Sequence, residues 1–287
     1  MIGEVSSMSK NRKDGVYIKP KDSVHAIMPY LMETRIECEV SKTVFLDITE
    51  LVKWIDRKNE KLDFKYTYFQ GLAAIFSKVI YNREYLNRFV QGHRMYQRNY
   101  VSISFIAKDK LSDKAEEKIV FLKIDPKETG VELAHRMAVD IFKTKSDGTN
   151  DMDKTLKALT KFPRWLMRII VRFIKWLDYH GWVPDSLTSG DSNYSTLLLS
   201  NLGSIKCDSC YHHLNNYGTN SIVITIGTIK EEKGKYTVDI TATLDERIAD
   251  GFYFAKSMKL AQEIASNPKY LEDSMDTIID FDYDKKK

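Results

Sequence analysis

The sequence predicts an α/β protein, a mixed β-sheet flanked by helices. Three observations carry this expectation. Over residues 238–244, apolar Val238, Ile240, Ala242 and Leu244 alternate with Asp239, Thr241 and Thr243, the period of a half-buried strand. Over residues 252–260, Phe252, Ala255, Met258 and Leu260 fall at helical spacing. Between them stand three charges in a row, Asp245-Glu246-Arg247, closed by Asp250-Gly251. Charges at the mouth of a buried strand cost desolvation unless they are paired, so this turn is either an ion-pair brace or a site.

The other elements follow in order. Residues 1–21 are polar and basic and read as an arm that docks on a neighbour. Residues 32–47 alternate Ile36, Cys38 and Val40 against Glu37, Glu39 and Ser41, a strand with one wet face. Asp47 with Glu50 three residues on predicts a capping box, opening a helix that turns Leu51, Val52 and Ile55 inward. Residues 64–81 are apolar nearly all round, so that helix is buried on two sides. Strands follow at 100–107 and 118–124, the second ended by Asp125-Pro126. An amphipathic helix spans 128–143, with Val131, Leu133, Met137 and Ile141 inward, and 145–153 is a surface loop. Residues 196–203 and 221–229 are strands of buried type.

The stretch 156–182 is unusual. Pro163 interrupts a helical pattern and should begin a new helix. In the following R-W-L-M-R-I-I-V-R-F-I-K-W-L, Arg164, Arg168 and Arg172 stand four residues apart on an otherwise apolar cylinder. Three readings stay open: a helix in a subunit interface, a helix lying on a membrane surface, or the wall of a substrate channel.

Composition bounds the class. The 287 residues are 43% hydrophobic, enough for one large domain or two small ones. A net charge of +4 is too mild to imply nucleic acid. The start lacks the apolar core of a signal peptide, and no apolar run of about 18 residues predicts a membrane span. Three cysteines, Cys38, Cys207 and Cys210, fit a reducing compartment, and the expected location is cytoplasmic. The expected organisation is an arm (1–21), a domain (22–274) with a helical insertion over about 151–182, and a charged tail (275–287).

The charged turn resembles the signature Asp-His-Arg-x-x-Asp-Gly of the 2-oxo acid dehydrogenase acyltransferases and chloramphenicol acetyltransferases. Asp245, Arg247, Asp250 and Gly251 match, and Glu246 stands where the family keeps its catalytic histidine. Ser200-Asn201-Leu202-Gly203 resembles the family's Ser-Asn-Leu-Gly, with Ser200 lying 45 residues before Asp245. The resemblance extends over 42–273 and includes Asn87 and the closing Asn267-Pro268. It implies a chloramphenicol acetyltransferase-like fold and a homotrimer with active sites between subunits. It also implies acyl transfer between coenzyme A and a small acceptor. On this resemblance the chain is expected to be the catalytic fold standing alone, without the lipoyl domain of the large complexes.

By the same resemblance, Ser200 would stabilise the oxyanion, Asp250 would brace the site by pairing with an arginine, and Asn201, Gly203 and Arg247 would bind substrate. Glu246 is a candidate base, although a carboxylate serves a thiol only when burial raises it. A histidine of Cys207-Asp208-Ser209-Cys210-Tyr211-His212-His213 is the other candidate, His212 or His213. The same cysteine pair can be read as packing, as a redox pair or as half of a zinc site, and no metal site is expected. The alternative to an enzyme is a non-catalytic trimer that keeps the fold as a scaffold or ligand-binding protein.

Overall fold

In the computed structural model, which describes residues 11–108, 117–146 and 160–283, the chain opens with β1 (Gly15–Tyr17), α1 (Ser23–Leu31) and β2 (Glu39–Asp47). It continues through α2 (Thr49–Asn59), α3 (Tyr68–Asn82), β3 (Arg88–Gln91), β4 (Arg94–Arg98), β5 (Ser102–Lys108) and β6 (Glu117–Lys123). Then come α4 (Gly130–Ser146), α5 (Arg164–His180), α6 (Asp185–Thr188), β7 (Leu197–Asn201), β8 (Ile222–Glu232), β9 (Lys235–Asp245) and α7 (Gly251–Ser266). The main sheet runs β2-β9-β8-β7-β5-β6 and is mixed: β7 is parallel to both β5 and β8, and the other pairs are antiparallel. A small antiparallel sheet, β1-β4-β3, stands beside it.

The alternation in β9 decides which side is which. Val238, Ile240, Ala242 and Leu244 join Ile224, Ile226, Leu197, Leu199, Ile103 and Phe105 in one core with α2, α3, α4 and α7. The opposite face is polar. Ser200, Thr225, Thr241 and Thr43 lie in register across β7, β8, β9 and β2. Thr43 and Thr241 hydroxyls bond at 2.8 Å, and Ser41 and Thr243 at 2.5 Å. Hydroxyls suit a buried second face because each can donate to a neighbour across the sheet.

Two expectations about helix starts are corrected, and the two ends of the chain are seen in part. Asp47 does not cap α2: its carboxylate accepts from the Thr49 N–H and hydroxyl, and Ile48 stands at the N-cap. The helix expected from 64 starts at Tyr68, because Thr67 and Gln70 form a reciprocal capping box. In the described part of the polar arm, β1 pairs with β4, and Arg12 forms ion pairs with Asp14 and with Asp178 of α5. The expected tail is packed at its start, with Met275 and Ile279 buried and the buried ammonium of Lys78 donating to the Ser274 carbonyl at 2.8 Å. Helix α1 and the β3–β4 hairpin were not read from the sequence at all. Residues 1–10, most of the 145–153 loop and the beginning of the helical insertion lie outside the described residues.

The capping box makes a direct test. Thr67→Ala should lower stability by about 1 kcal/mol and Thr67→Ser by much less, measured by urea unfolding.

Candidate functional site

Asp245 is the last residue of β9 and is fully buried. Its carboxylate accepts from Arg247 Nε at 2.9 Å and from a terminal nitrogen at 2.7 Å, a bidentate pair. The same carboxylate accepts the Arg247 backbone N–H at 3.1 Å, and the Ile248 N–H closes the turn on the Asp245 carbonyl at 3.1 Å. The remaining guanidinium nitrogen reaches the Met32 carbonyl at 2.8 Å, so the ion pair ties the end of α1 to the end of β9. Burial opposes the charge on Arg247, but Asp245 more than compensates and raises the arginine above its ordinary value. Arg247 is thus spent on structure within this chain.

Because Asp245 and Arg247 both turn inward, Glu246 turns out. Its N–H donates to the Cys38 carbonyl at 2.9 Å, continuing the β2–β9 ladder by one bond, and its side chain is exposed. The carboxylate makes no hydrogen bond or ion pair among the described residues. Among the described residues Asp250 pairs with no arginine, the partner that the motif led us to expect. It is the N-cap of α7, accepting the Tyr253 N–H at 2.7 Å.

Ser200 is half-buried on β7, and its hydroxyl has no partner among the described residues. Asn201 accepts the Ser204 hydroxyl through its carbonyl at 2.8 Å. Gly203 lies against β8, where a Cβ would collide with the Gly227 carbonyl. The sheet itself measures how far Ser200 is from the turn. Ser200 shares a row with Thr241, which lies four residues before Asp245 on β9. This places the two about 13 Å apart along the strands and about 10 Å across them. Ser200 and Glu246 therefore do not meet within one chain.

Residues 207–214 form a strap over the polar face. The carbonyls of Cys207 and Cys210 accept the hydroxyls of Thr228 and Thr225 at 3.1 and 2.6 Å. The Ser209 hydroxyl bonds to Thr241 at 2.8 Å, its N–H donates to the buried Asp239 carboxylate, and the Leu214 N–H reaches Glu39 at 2.9 Å. Matching Cys207 and Cys210 to residues three apart on β8 stretches the C-x-x-C instead of curling it, a shape unsuited to chelation or a disulfide. Both thiols are free and exposed, and no cluster able to hold a metal occurs among the described residues. His212 Nδ1 lies 2.8 Å from the His213 carbonyl. A carbonyl can only accept, so Nδ1 carries the proton and Nε2 keeps a lone pair. Leu214 on Glu39 and Glu246 on Cys38 bring both histidines to the end of the sheet where Glu246 stands.

Sequence reasoning missed Arg35. It is buried, its guanidinium donates to the Val90 carbonyl at 2.9 Å and to Gln91 at 3.1 Å, and its backbone N–H donates to the side-chain carbonyl of Asn216 at 2.9 Å. Burial without a contacting carboxylate pulls it down to about 10. A lone arginine ahead of a strand carries no spacing signal that would have singled it out. Cys38 is the inert thiol beside the site: burial pushes it up to about 11, and it donates to the Thr34 carbonyl at 3.1 Å.

No family model matches the sequence, and no curated protein does either. Solved structures do match. A chloramphenicol acetyltransferase superposes with a TM-score of 0.58 at 9% identity, over 88% of this chain and 99% of that one. The fold is that of the acyltransferase cores. An Azotobacter vinelandii dihydrolipoamide acetyltransferase, in which a serine, a histidine and an asparagine were investigated for their catalytic role, gives 0.58 at 14% identity. It is matched over 87% of this chain and 88% of that one. A truncated catalytic core of the 2-oxoacid dehydrogenase multienzyme complex from Thermoplasma acidophilum gives 0.52 at 16%, over 88% and 98%. The acyltransferase resemblance read from the motifs and the mixed α/β fold it implied are both present in the structure.

Two outcomes follow from the buried pair and the buried thiol. Asp245→Ala should cost about 3–5 kcal/mol in urea unfolding, whereas Asp245→Ala with Arg247→Met should cost less, because no buried charge is then left alone. At about pH 8, iodoacetamide should label Cys207 and Cys210 and spare Cys38 in the folded protein, read by mass spectrometry.

Proposed function

We propose that this chain is a coenzyme A-dependent acyltransferase that works as a cytoplasmic homotrimer, moving an acyl group to a small thiol, hydroxyl or amine acceptor. The fold supports this reading, and so does the motif: the Azotobacter enzyme's histidine and asparagine are four residues apart, as are Glu246 and Asp250 here. The observation that carries it is the separation of Ser200 from Glu246. Each presents an unpaired group, and the two lie too far apart in one chain to act together. A site built from Ser200 of one copy and the turn of the next would unite them, which makes assembly a condition of activity.

The chemistry is then ordinary acyl transfer. The base takes the acceptor's proton as the acceptor heteroatom attacks the thioester carbonyl. The carbonyl oxygen becomes anionic and accepts a hydrogen bond from Ser200 Oγ. Collapse breaks the carbon–sulfur bond and expels the coenzyme A sulfur, which takes the proton back from the base. Glu246 fills the base role if a neighbouring copy buries it, since desolvation raises a carboxylate. His212 fills it through its free Nε2.

One observation favours a second reading, a non-catalytic trimer that binds a ligand or scaffolds partners. Asp245 and Arg247 neutralise each other completely without Glu246, so the turn is stable whatever stands between them.

Release of free coenzyme A from acetyl-coenzyme A, run over thiol, amine and hydroxyl acceptors, separates these readings. Ser200→Ala should lower turnover about 10²-fold with the trimer intact. Loss in Glu246→Ala alone assigns the base to Glu246, and loss in a His212/His213 double alanine assigns it to the strap. Co-expressed Ser200→Ala and Glu246→Ala chains should recover part of the activity that neither has alone. No recovery would place both groups' work within one chain, and no turnover with no coenzyme A binding would leave the non-catalytic reading.

A further inference from the structure

Helix α5 has a surface that the fold does not use. It is 17 residues long, about 25 Å, and among them only Asp178, near its C-terminal end, is buried. That carboxylate holds Arg12 at 3.0 Å and the Gln91 amide at 2.8 Å, and Gly181, in the left-handed region at φ 74°, ends the helix. The helix is thus anchored most firmly at its C-terminal end, where Tyr179 also meets the His93 ring.

Leu166, Met167, Ile170, Ile174 and Leu177 share a half-buried side of the helix, and two further arcs are exposed. Arg164, Arg168, Arg172 and Lys175 fall on one arc of the helical wheel. None of the four makes a hydrogen bond or ion pair among the described residues. The adjoining arc carries Trp165, Ile169, Phe173 and Trp176, exposed by 64%, 55%, 56% and 48%. Among the described residues, the rings of Phe173 and Trp176 meet only other rings of α5 or the following Trp182. The sole acidic group, Asp178, is committed to the anchor.

We infer that α5 is a membrane-surface helix, lying in the interface of an anionic bilayer with its tryptophan face at the boundary of headgroups and acyl chains and its arginines on lipid phosphates. Charge decides between this occupant and a second copy of the chain. A protein partner would have to bring four carboxylates to satisfy the basic arc, whereas an anionic leaflet supplies phosphates along the whole helix. Tryptophans bordering the basic arc take the depth where an interfacial helix places them. No described helix is long and apolar enough to cross a membrane, so the contact is with one surface only. The inference is independent of acyl transfer and stands or falls without it.

Co-sedimentation of the full chain with phosphatidylcholine–phosphatidylglycerol vesicles and with pure phosphatidylcholine vesicles tests it, alongside analytical ultracentrifugation without lipid. The expected result is binding to the mixed vesicles, a blue shift of tryptophan emission on binding, and weakening by salt. R164E/R168E/R172E should lower partitioning about 10²-fold or more with unchanged circular dichroism. Absence of binding to mixed vesicles, or equal binding to neutral ones, overturns the inference. So does a Phe173→Glu/Trp176→Glu variant that dissociates the oligomer while its vesicle binding is unchanged, which would assign the face to a second copy.

Discussion

The bidentate pair of Asp245 and Arg247 is the constraint on which this end of the molecule depends. It is almost entirely dehydrated, and a charge there without its partner would be costly. Together the two residues gather three separate segments: the end of β9, the carbonyls that follow α1, and, through Cys38 and Glu246, the start of β2. Arg35 extends the same junction toward β3 through Val90 and Gln91, and toward the strap through Asn216. With its neighbours turned inward, residue 246 has one direction left. The position is presented to whatever lies outside the chain by the geometry of the brace, regardless of its side chain.

The main sheet carries two different chemistries on its two faces. One is aliphatic and built for helices. The other is a field of hydroxyls with two buried carboxylates on β9: Asp245 in the charged turn, and Asp239, whose position is permitted by Gly227 beside the bulge in β8, since a Cβ there would occupy the place of the carboxylate oxygens. The strap over that face is held by hydroxyl and backbone bonds and contributes little apolar surface. Polar contacts of this kind fix register and direction more than they add stability. They set where His212 and His213 come to rest.

Much of this was legible in the sequence. The alternation at Val238 through Leu244 and at Ser102 through Phe105 named both strands and their inner faces, because a period of two has one meaning when half the residues are aliphatic. The charged turn announced itself as brace or site, and in one chain it is a brace. Other parts were silent for identifiable reasons. The β3–β4 turn uses Gly92 and His93, both at φ 58°, without the Asn-Gly or Asp-Gly pair that marks such turns. Helix α1 holds Pro29 and leaves Val24, Ile27 and Leu31 exposed, so it has no inward stripe to read. The distance between Ser200 and Glu246 depends on strand order, and two motifs alone do not give that order.

The way α5 is fastened has a consequence for how this protein can change. A helix that shares a core must vary in step with its neighbours, since each altered volume is felt across the contact. The outward arcs of α5, which meet no other element among the described residues, are released from that obligation. At Arg164, Trp165, Arg168, Ile169, Arg172, Phe173, Lys175 and Trp176, all exposed, the body of the protein places almost no demand on side-chain identity. The composition of that face therefore records the surroundings it meets, and descendants of this chain could be re-addressed by substitutions there while the acyltransferase-like body stays as it is.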